Sequence, residues 1–231
     1  MRKEELVSKE YIFKKVKGDQ LAFVGDFEGF YKNEDDPWGQ KGGDARLNEY
    51  YQYSRHHLLE TLRTLTSPKV KTDILEVGCG LGYVADFLNK GLAGDQAAVT
   101  GMDISQTAVA KAKKVFPHLN FVAADIGEVN LSHKASYDMI IMSQILWYIL
   151  EKLPQIFKNF ERLIRPGGHL IFINAFLREQ KYGRDIVDGF DGLVRYIQKH
   201  HFDQYRIVKA QVDYSGRFIH DDGILVIKKT T

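Results

Sequence analysis

The sequence predicts a doubly wound α/β domain: a three-layer α/β/α arrangement on a seven-stranded, mostly parallel sheet with an antiparallel last strand. Three observations predict it. From residue 74 onward, short apolar strands alternate with helical stretches, the pattern of parallel βαβ units. The first strand, Thr72-Asp-Ile-Leu-Glu-Val77, runs into three glycines at alternate positions, Gly78, Gly80 and Gly82, and then into a helix. The last two strands have no helix between them and so pair antiparallel.

Taken in order, residues 1–43 read as irregular, rich in aromatics, acids and glycine. A long helix is expected from Asp44 to Leu65, with Asp44 as N-cap. Its apolar stripe is Leu47, Tyr50, Tyr51, Leu58, Leu59, Leu62 and Leu65. Ser67-Pro68 breaks the chain. Strands follow at Ile74–Val77, Ala97–Met102, Asn120–Ala123 and Tyr137–Met142; the last is nearly continuously apolar, as a strand covered on both faces should be. Helices are expected over Tyr83–Lys90, over Gln106–Phe116 behind a Ser105 cap, and over Leu153–Ile164 with Pro154 in its first turn. Pro166-Gly167-Gly168 turns into the strand His169–Asn174. A helix over Ile186–His201 precedes the strands Tyr205–Val212 and Ile224–Lys229. Two units result: an amino-terminal cap segment and helix, 1–66, and a ligand-binding core, 67–231, within one domain.

Composition narrows the class. The 231 residues are 44% hydrophobic and 27% charged, enough for a sizeable core. Net charge is +2 with both signs spread along the chain, so nucleic acid is not an expected partner. Cys79 stands alone, which excludes an intramolecular disulfide. Met1–Lys17 has no apolar run, and Tyr137–Leu150 is broken by Asp138, Ser143 and Gln144. No signal peptide or membrane span is expected, and the location expected is cytoplasmic.

In an open α/β sheet the ligand sits at the carboxyl ends of the strands, where strand order reverses. A Cβ at Gly78, Gly80 or Gly82 is expected to collide with a ligand lying along the loop. The spacing is G-x-G-x-G, not the dinucleotide G-x-G-x-x-G, because Tyr83 stands where a third small residue belongs. Asp103 follows Gly82 by 21 residues, the interval of an acid that binds ribose hydroxyls. The pairs His56-His57 and His200-His201 tempt a metal reading. Adjacent helical residues point about 100° apart, so no metal site is expected.

The loop preceded by Glu76 resembles motif I of the class I S-adenosylmethionine-dependent methyltransferases. The resemblance continues in order through Val99-Thr-Gly-Met-Asp103, Ala124-Asp125-Ile126, Tyr137-Asp138-Met139-Ile140-Ile141 and Leu163-Ile-Arg-Pro-Gly-Gly-His-Leu-Ile-Phe172. It implies a Rossmann-like methyltransferase fold and S-adenosylmethionine as cofactor, with S-adenosylhomocysteine as product. Gly78, Gly80 and Gly82 then pass along its methionine and ribose, and the following helix offers N–H groups to its carboxylate. Asp103 binds the ribose, Asp125 accepts from the adenine amino group, and Ile104 and Ile126 sandwich the ring. Glu76 either orients the loop or accepts near the methionine end. Ser143 closes the site at the end of the fourth strand. Phe30-Tyr31, Asp36-Pro37-Trp38-Gly39, Tyr50, Tyr53 and Arg55 are similar to NodS-like methyltransferases, which methylate an amino-sugar nitrogen. Trp38 either packs on the cofactor or plugs the amino-terminal segment, and Tyr53 and Arg55 reach the methionine carboxylate unless Arg55 forms a solvent-facing salt bridge.

The expected reaction is in-line attack by a nitrogen or oxygen of a small polar acceptor (a sugar, amino sugar or amine) on the sulfonium methyl. Tyr53, His57 and Tyr148 are candidates to remove the acceptor's proton, with Gln144 as a hydrogen-bond acceptor only. Methylation of a protein or RNA, and a non-catalytic cofactor-binding scaffold, are the alternatives. The chain is expected to act as a monomer or homodimer.

Overall fold

The computed structural model describes residues 10–16, 20–42, 44–67, 70–92, 97–133 and 135–230. Pro68 and much of the charged opening stretch, residues 1–9 and 17, lie outside the described residues. The amino-terminal segment corrects the expectation of irregular chain. It forms a hairpin, β1 (Phe13–Lys15) and β2 (Leu21–Phe23), and a helix, α1 (Phe27–Asn33). Three-residue strands are too short to show an alternation. Phe13 and Phe23 pair across the hairpin at 5.4 Å, and Asp26 caps α1 by accepting from the Gly29 N–H at 2.8 Å.

The long helix α2 (Ala45–Leu65) starts where its cap predicts, with Asp44 accepting from the Arg46 and Leu47 N–H groups at 2.9 Å each. Then come β3 (Thr72–Val77), α3 (Tyr83–Gly91), β4 (Ala97–Asp103), α4 (Gln106–Val115), β5 (Asn120–Ala123) and β6 (Tyr137–Ser143). A four-residue helix, α5 (Leu146–Ile149), precedes α6 (Leu153–Leu163), β7 (Ile164–Leu177), α7 (Gly189–His200), β8 (Tyr205–Asp213) and β9 (His220–Lys229). β7 begins five residues earlier than expected. It runs through Pro166-Gly167, where a register irregularity opposite Tyr137–Met139 and a φ of +75° at Gly167 absorb the proline.

The main sheet has the order β5-β4-β3-β6-β7-β9-β8. β3 to β7 are parallel, and β9 runs antiparallel to both its neighbours. From β3 the chain builds outward to β4 and β5, then returns to lay β6 and β7 on the other side. That reversal opens a crevice at the carboxyl ends of β3 and β6. Alternation along β3 sends Leu75 and Val77 to one core, with Phe157 and Phe160 of α6. Ile74 goes to the other, with Leu58 and Leu62 of α2 and Leu88 of α3. By the same alternation Glu76 faces α2.

The amino-terminal segment is fastened to the sheet domain through α4. Glu28 accepts from the Ser105 and Thr107 hydroxyls at 2.7 Å each and from the Thr107 N–H at 3.1 Å. Those bonds hold its carboxyl down at about 2. Lys111 donates to the Tyr31 and Glu34 carbonyls at 2.8 Å each. Glu28→Ala is therefore expected to speed proteolytic cleavage within residues 10–42 by about tenfold, since charged hydrogen bonds contribute roughly 1.5–3 kcal/mol each and the segment is half-exposed. The sheet should keep its far-ultraviolet circular dichroism; an unchanged cleavage rate would show that Glu28 does not hold the segment.

Candidate active site

A cavity of about 1170 Å³ opens at the carboxyl ends of β3, β4, β6 and β7, walled by α2 and the amino-terminal segment. Its volume exceeds the usual range for one small ligand, about 300–1,000 Å³, and leaves room for a cofactor and a second molecule.

The glycine loop is its floor. The Gly78 and Cys79 N–H groups both donate to the Met102 carbonyl, at 2.7 and 3.0 Å. Gly80 donates to Asp103 Oδ2 at 2.8 Å, and the Ser105 N–H donates to Asp103 Oδ1 at 2.9 Å. Asp103 thus ties the loop to the end of β4 from a buried position, and burial pushes its carboxyl up to about 6. Each oxygen keeps a further lone pair, and the residue lines the cavity.

One expectation about the loop needs correction. All three glycines have positive φ, but only Gly78 lines the cavity. A Cβ on Gly80 would meet the Tyr31 hydroxyl at 2.5 Å, and one on Gly82 the Phe121 ring at 2.6 Å. Those two are glycine for backbone twist and protein packing, not for close approach to a ligand. Two N–H groups around the start of α3 are taken up by protein. Leu81 donates to the Gln40 side chain at 3.1 Å, and Ala85 donates to Glu76.

The charged lining lies opposite. Glu76 is 2% exposed, and its Oε2 has no hydrogen-bond partner. Burial pushes its carboxyl up to about 8, opposed by Arg55. Arg55 of α2 stacks over the Tyr51 and Tyr83 rings, 5.5 and 5.9 Å from their centroids, and its buried Nε is also without a partner. A buried acceptor and a buried donor left unmatched are each costly. A ligand with an ammonium and a carboxylate, the head of an α-amino acid, satisfies both.

Further along, Ile104 projects into the cavity with 47% exposure, and buried Ile126 lines it too. Asp125 also lines it, but its oxygens are engaged: Gly127 N–H donates to Oδ1 and Lys152 Nζ to Oδ2, at 2.7 Å each. The carboxylate caps its own loop, whatever else it binds. Ser143 and Trp38 line the cavity as expected. Trp38 packs edge-on against Phe30 at 5.2 Å and tilted against Tyr148 at 5.6 Å, and its carbonyl accepts from the Tyr51 hydroxyl at 2.7 Å.

The expected catalytic group separates. Tyr148 lines the cavity within an aromatic cluster that includes Phe27 and Trp38, and burial raises its phenol. Tyr53 and His57 do not line the cavity, which corrects both assignments. Tyr53 turns to β8, where its hydroxyl donates to Asp213 at 2.9 Å. His57 lies behind the wall, its Nδ1 3.4 Å from Asp222. Their positions on α2 put both on the sheet-edge side of the helix. Gln144 lines the cavity, but its Oε1 already accepts from the Ala175 N–H at 2.9 Å. Tyr50, Asn174, Phe218 and His220 line the cavity as well. Tyr50 reads as part of an apolar stripe, with its NodS-like position as a signal; His220 precedes a strand expected only from Ile224, so only tertiary contact reveals it. Among the described residues, no cluster of His, Cys, Asp and Glu is arranged to hold a metal ion, and no helix is long and apolar enough to cross a membrane.

Residues 74–168, from β3 into β7, match a family described as a methyltransferase domain. That stretch is similar to class I methyltransferase domains. Nodulation protein S of Rhizobium tropici is 27% identical over 146 residues, 61% of this chain and 56% of that protein. The malonyl-[acyl-carrier protein] O-methyltransferase of Bacillus anthracis is 31% identical over 141 residues, 58% of this chain and 51% of that one. The N-methyltransferase NodS from Bradyrhizobium japonicum WM9, solved with S-adenosyl-L-homocysteine, superposes with a TM-score of 0.65 at 18% identity. That superposition covers 88% of this chain and 98% of that one, and establishes a shared fold. The chain spans about half the length of these curated relatives. The matched stretch includes the glycine loop and the acid at the end of β4.

Proposed function

We propose that the chain is an S-adenosylmethionine-dependent methyltransferase acting on a nitrogen or oxygen of a polar small molecule, a sugar, amino sugar or amine, in the cytoplasm. One observation carries the reading. Glu76 and Arg55, each carrying a buried polar atom without a partner (Oε2 and Nε), line the same cavity as Gly78 of the glycine loop and Asp103. Arg55 holds the cofactor's carboxylate and Glu76 its ammonium. Asp103 accepts from the ribose hydroxyls, Asp125 from the adenine amino group, and Ile104 and Ile126 flank the ring. Trp38 and Ser143 complete the wall.

When bound, the cofactor supplies an already activated sulfonium methyl. The protein's contribution is alignment, which is capable of supplying roughly 7–11 kcal/mol. Residues 1–66 act as a cap that excludes water and forms one side of the acceptor pocket. Nitrogen and oxygen acceptors both occur among the similar proteins, so the family likeness supports methyl transfer but does not choose the atom.

Calorimetry with S-adenosylhomocysteine tests the cofactor assignment, and turnover of S-adenosylmethionine across a panel of amines, amino sugars and phenols tests the reaction. We expect binding and turnover, with turnover lost and binding weakened when residues 1–43 are removed. Binding without turnover over the whole panel would favour a scaffold; no binding would sink the reading.

A further inference from the structure

Behind the Tyr50 side of the cavity lies a buried acid with no buried cation to neutralise it. Asp222, near the start of β9, is 1% exposed and sits opposite Ala175 of β7. The Tyr50 hydroxyl donates to its Oδ1 at 2.9 Å, and its Oδ2 lies 3.4 Å from His57 Nδ1. Tyr50 and His57 stand seven residues apart on α2, two turns along one face of the helix. Tyr50 is buried and lines the cavity, whereas Asp222 and His57 do not. The phenol is therefore the acid's connection to the cavity.

A carboxylate shut away from water needs a compensating positive charge. Here the compensating group is an imidazole that gains charge only with a proton. The other titratable and charged groups facing this cluster are Tyr53 from α2, Asp213 from β8, Asp221 and His220 from β9, and Arg217 and Arg178 from the flanking loops. Arg178 is engaged by Asp221 and Arg217 by Glu49, so neither neutralises Asp222 directly. The pocket around Tyr50 is also strained. Gln144 is the one non-glycine residue with positive φ (61°) among the described residues. It is held by bonds from its N–H to the Ile173 carbonyl and from its Nε2 to Ser54 Oγ. Strain of this kind persists where surrounding structure over-determines it, often at functional sites.

We propose that Tyr50 is a catalytic residue that takes the proton from the acceptor nucleophile, handing its own phenolic proton to Asp222, with His57 as positioning residue. This rests on the reading of the cavity as a methyl-transfer site. The nucleophile's lone pair forms the new bond to the methyl carbon as the carbon–sulfur pair withdraws to sulfur. The nucleophile's proton moves to Tyr50 Oη and the Tyr50 proton moves to Asp222 Oδ1, while His57 Nδ1 faces the other oxygen, Oδ2, of the same carboxyl. One proton enters the protein per turnover and leaves with product release. The acceptor class follows: a hydroxyl or an ammonium, a group that must lose a proton.

The test uses the whole chain with 15N-labelled histidine, first without ligands. Tyr50→Phe removes a donor from Asp222 and should raise the His57 titration midpoint by about half a pH unit or more. Equal midpoints overturn the relay, whether or not the chain methylates anything. With S-adenosylmethionine and tyramine or glucosamine as probe acceptors, Tyr50→Phe should lower kcat about 100-fold at unchanged acceptor KM. His57→Gln should lower it about tenfold and shift the acid limb of the pH profile, because the Asp222 carboxyl loses its neighbour. An undiminished kcat in Tyr50→Phe overturns the proposal, as does a shifted acid limb in His220→Gln rather than His57→Gln. A shifted midpoint in a protein that binds no S-adenosylhomocysteine supports the relay while removing the methyl-donor reading.

Discussion

Asp103→Ala is expected to weaken S-adenosylhomocysteine binding by more than about tenfold while leaving the protein folded. The binding loss follows from two hydroxyl donors losing an ionised acceptor, at roughly 1.5–3 kcal/mol per charged hydrogen bond. The stability change is a difference of opposing effects. Alanine leaves the buried Gly80 and Ser105 N–H groups without their acceptor, which costs about 1–3 kcal/mol each. It also relieves the burial of a carboxylate whose pKa rises from 3.8 to about 6. That relief is roughly 3 kcal/mol at neutral pH. The net loss is then about 3 kcal/mol or less, small enough for the variant to be folded in the calorimeter. Unchanged affinity in a folded variant would remove Asp103 from the ribose site and leave it as a clasp of the loop.

Glu76→Gln is expected to stabilise the ligand-free protein at pH 8 and above while weakening cofactor binding. Burial holds the Glu76 carboxyl at about 8, against 4.5 in the unfolded chain. The folded state therefore binds the proton more tightly than the unfolded state does. Stability from this group is full below about 4.5, declines as pH rises from there, and is lost above about 8. Its size is roughly 5 kcal/mol at most, from 1.36 kcal/mol per unit. Glutamine keeps the shape and is never charged, so the urea midpoint of the variant should decline less between pH 5 and 8 than that of the wild type. Bound cofactor reverses the ranking, because an ammonium opposite Glu76 favours the carboxylate. Parallel pH–stability curves for variant and wild type would show that Glu76 is not the buried acid responsible.

The strand–helix alternation, the caps of α2 and α4 at Asp44 and Ser105, and the antiparallel final strand were legible because each rests on local spacing or on a residue's own hydrogen-bonding groups. Glu76, Asp103 and Gly78 were legible for the same reason: a strand end followed by a turn has few places to put an acid. The hairpin of β1 and β2 was not, since its strands are held by aromatic contacts between distant segments, Phe13 and Phe23 with Tyr182 among them. The assignments of Tyr53 and His57 failed because a helix presents every residue type to some face, and which face meets the cavity depends on how α2 lies across the sheet. Tyr50, three residues before Tyr53, faces inward and Tyr53 outward to Asp213.

The sequence by itself determined the order of elements, the glycine loop and the acids that follow it, because strand, turn and cap chemistry act over a few residues. Tertiary structure decided what those residues touch. It turned Gly80 and Gly82 toward protein, gave Asp125 to Lys152, and brought Asp222 of β9 against Tyr50 and His57 of α2 across 172 and 165 residues of chain. Contacts at that separation are made when apolar faces bury and helices settle on the sheet, and that is a property of the whole packing rather than of any short stretch.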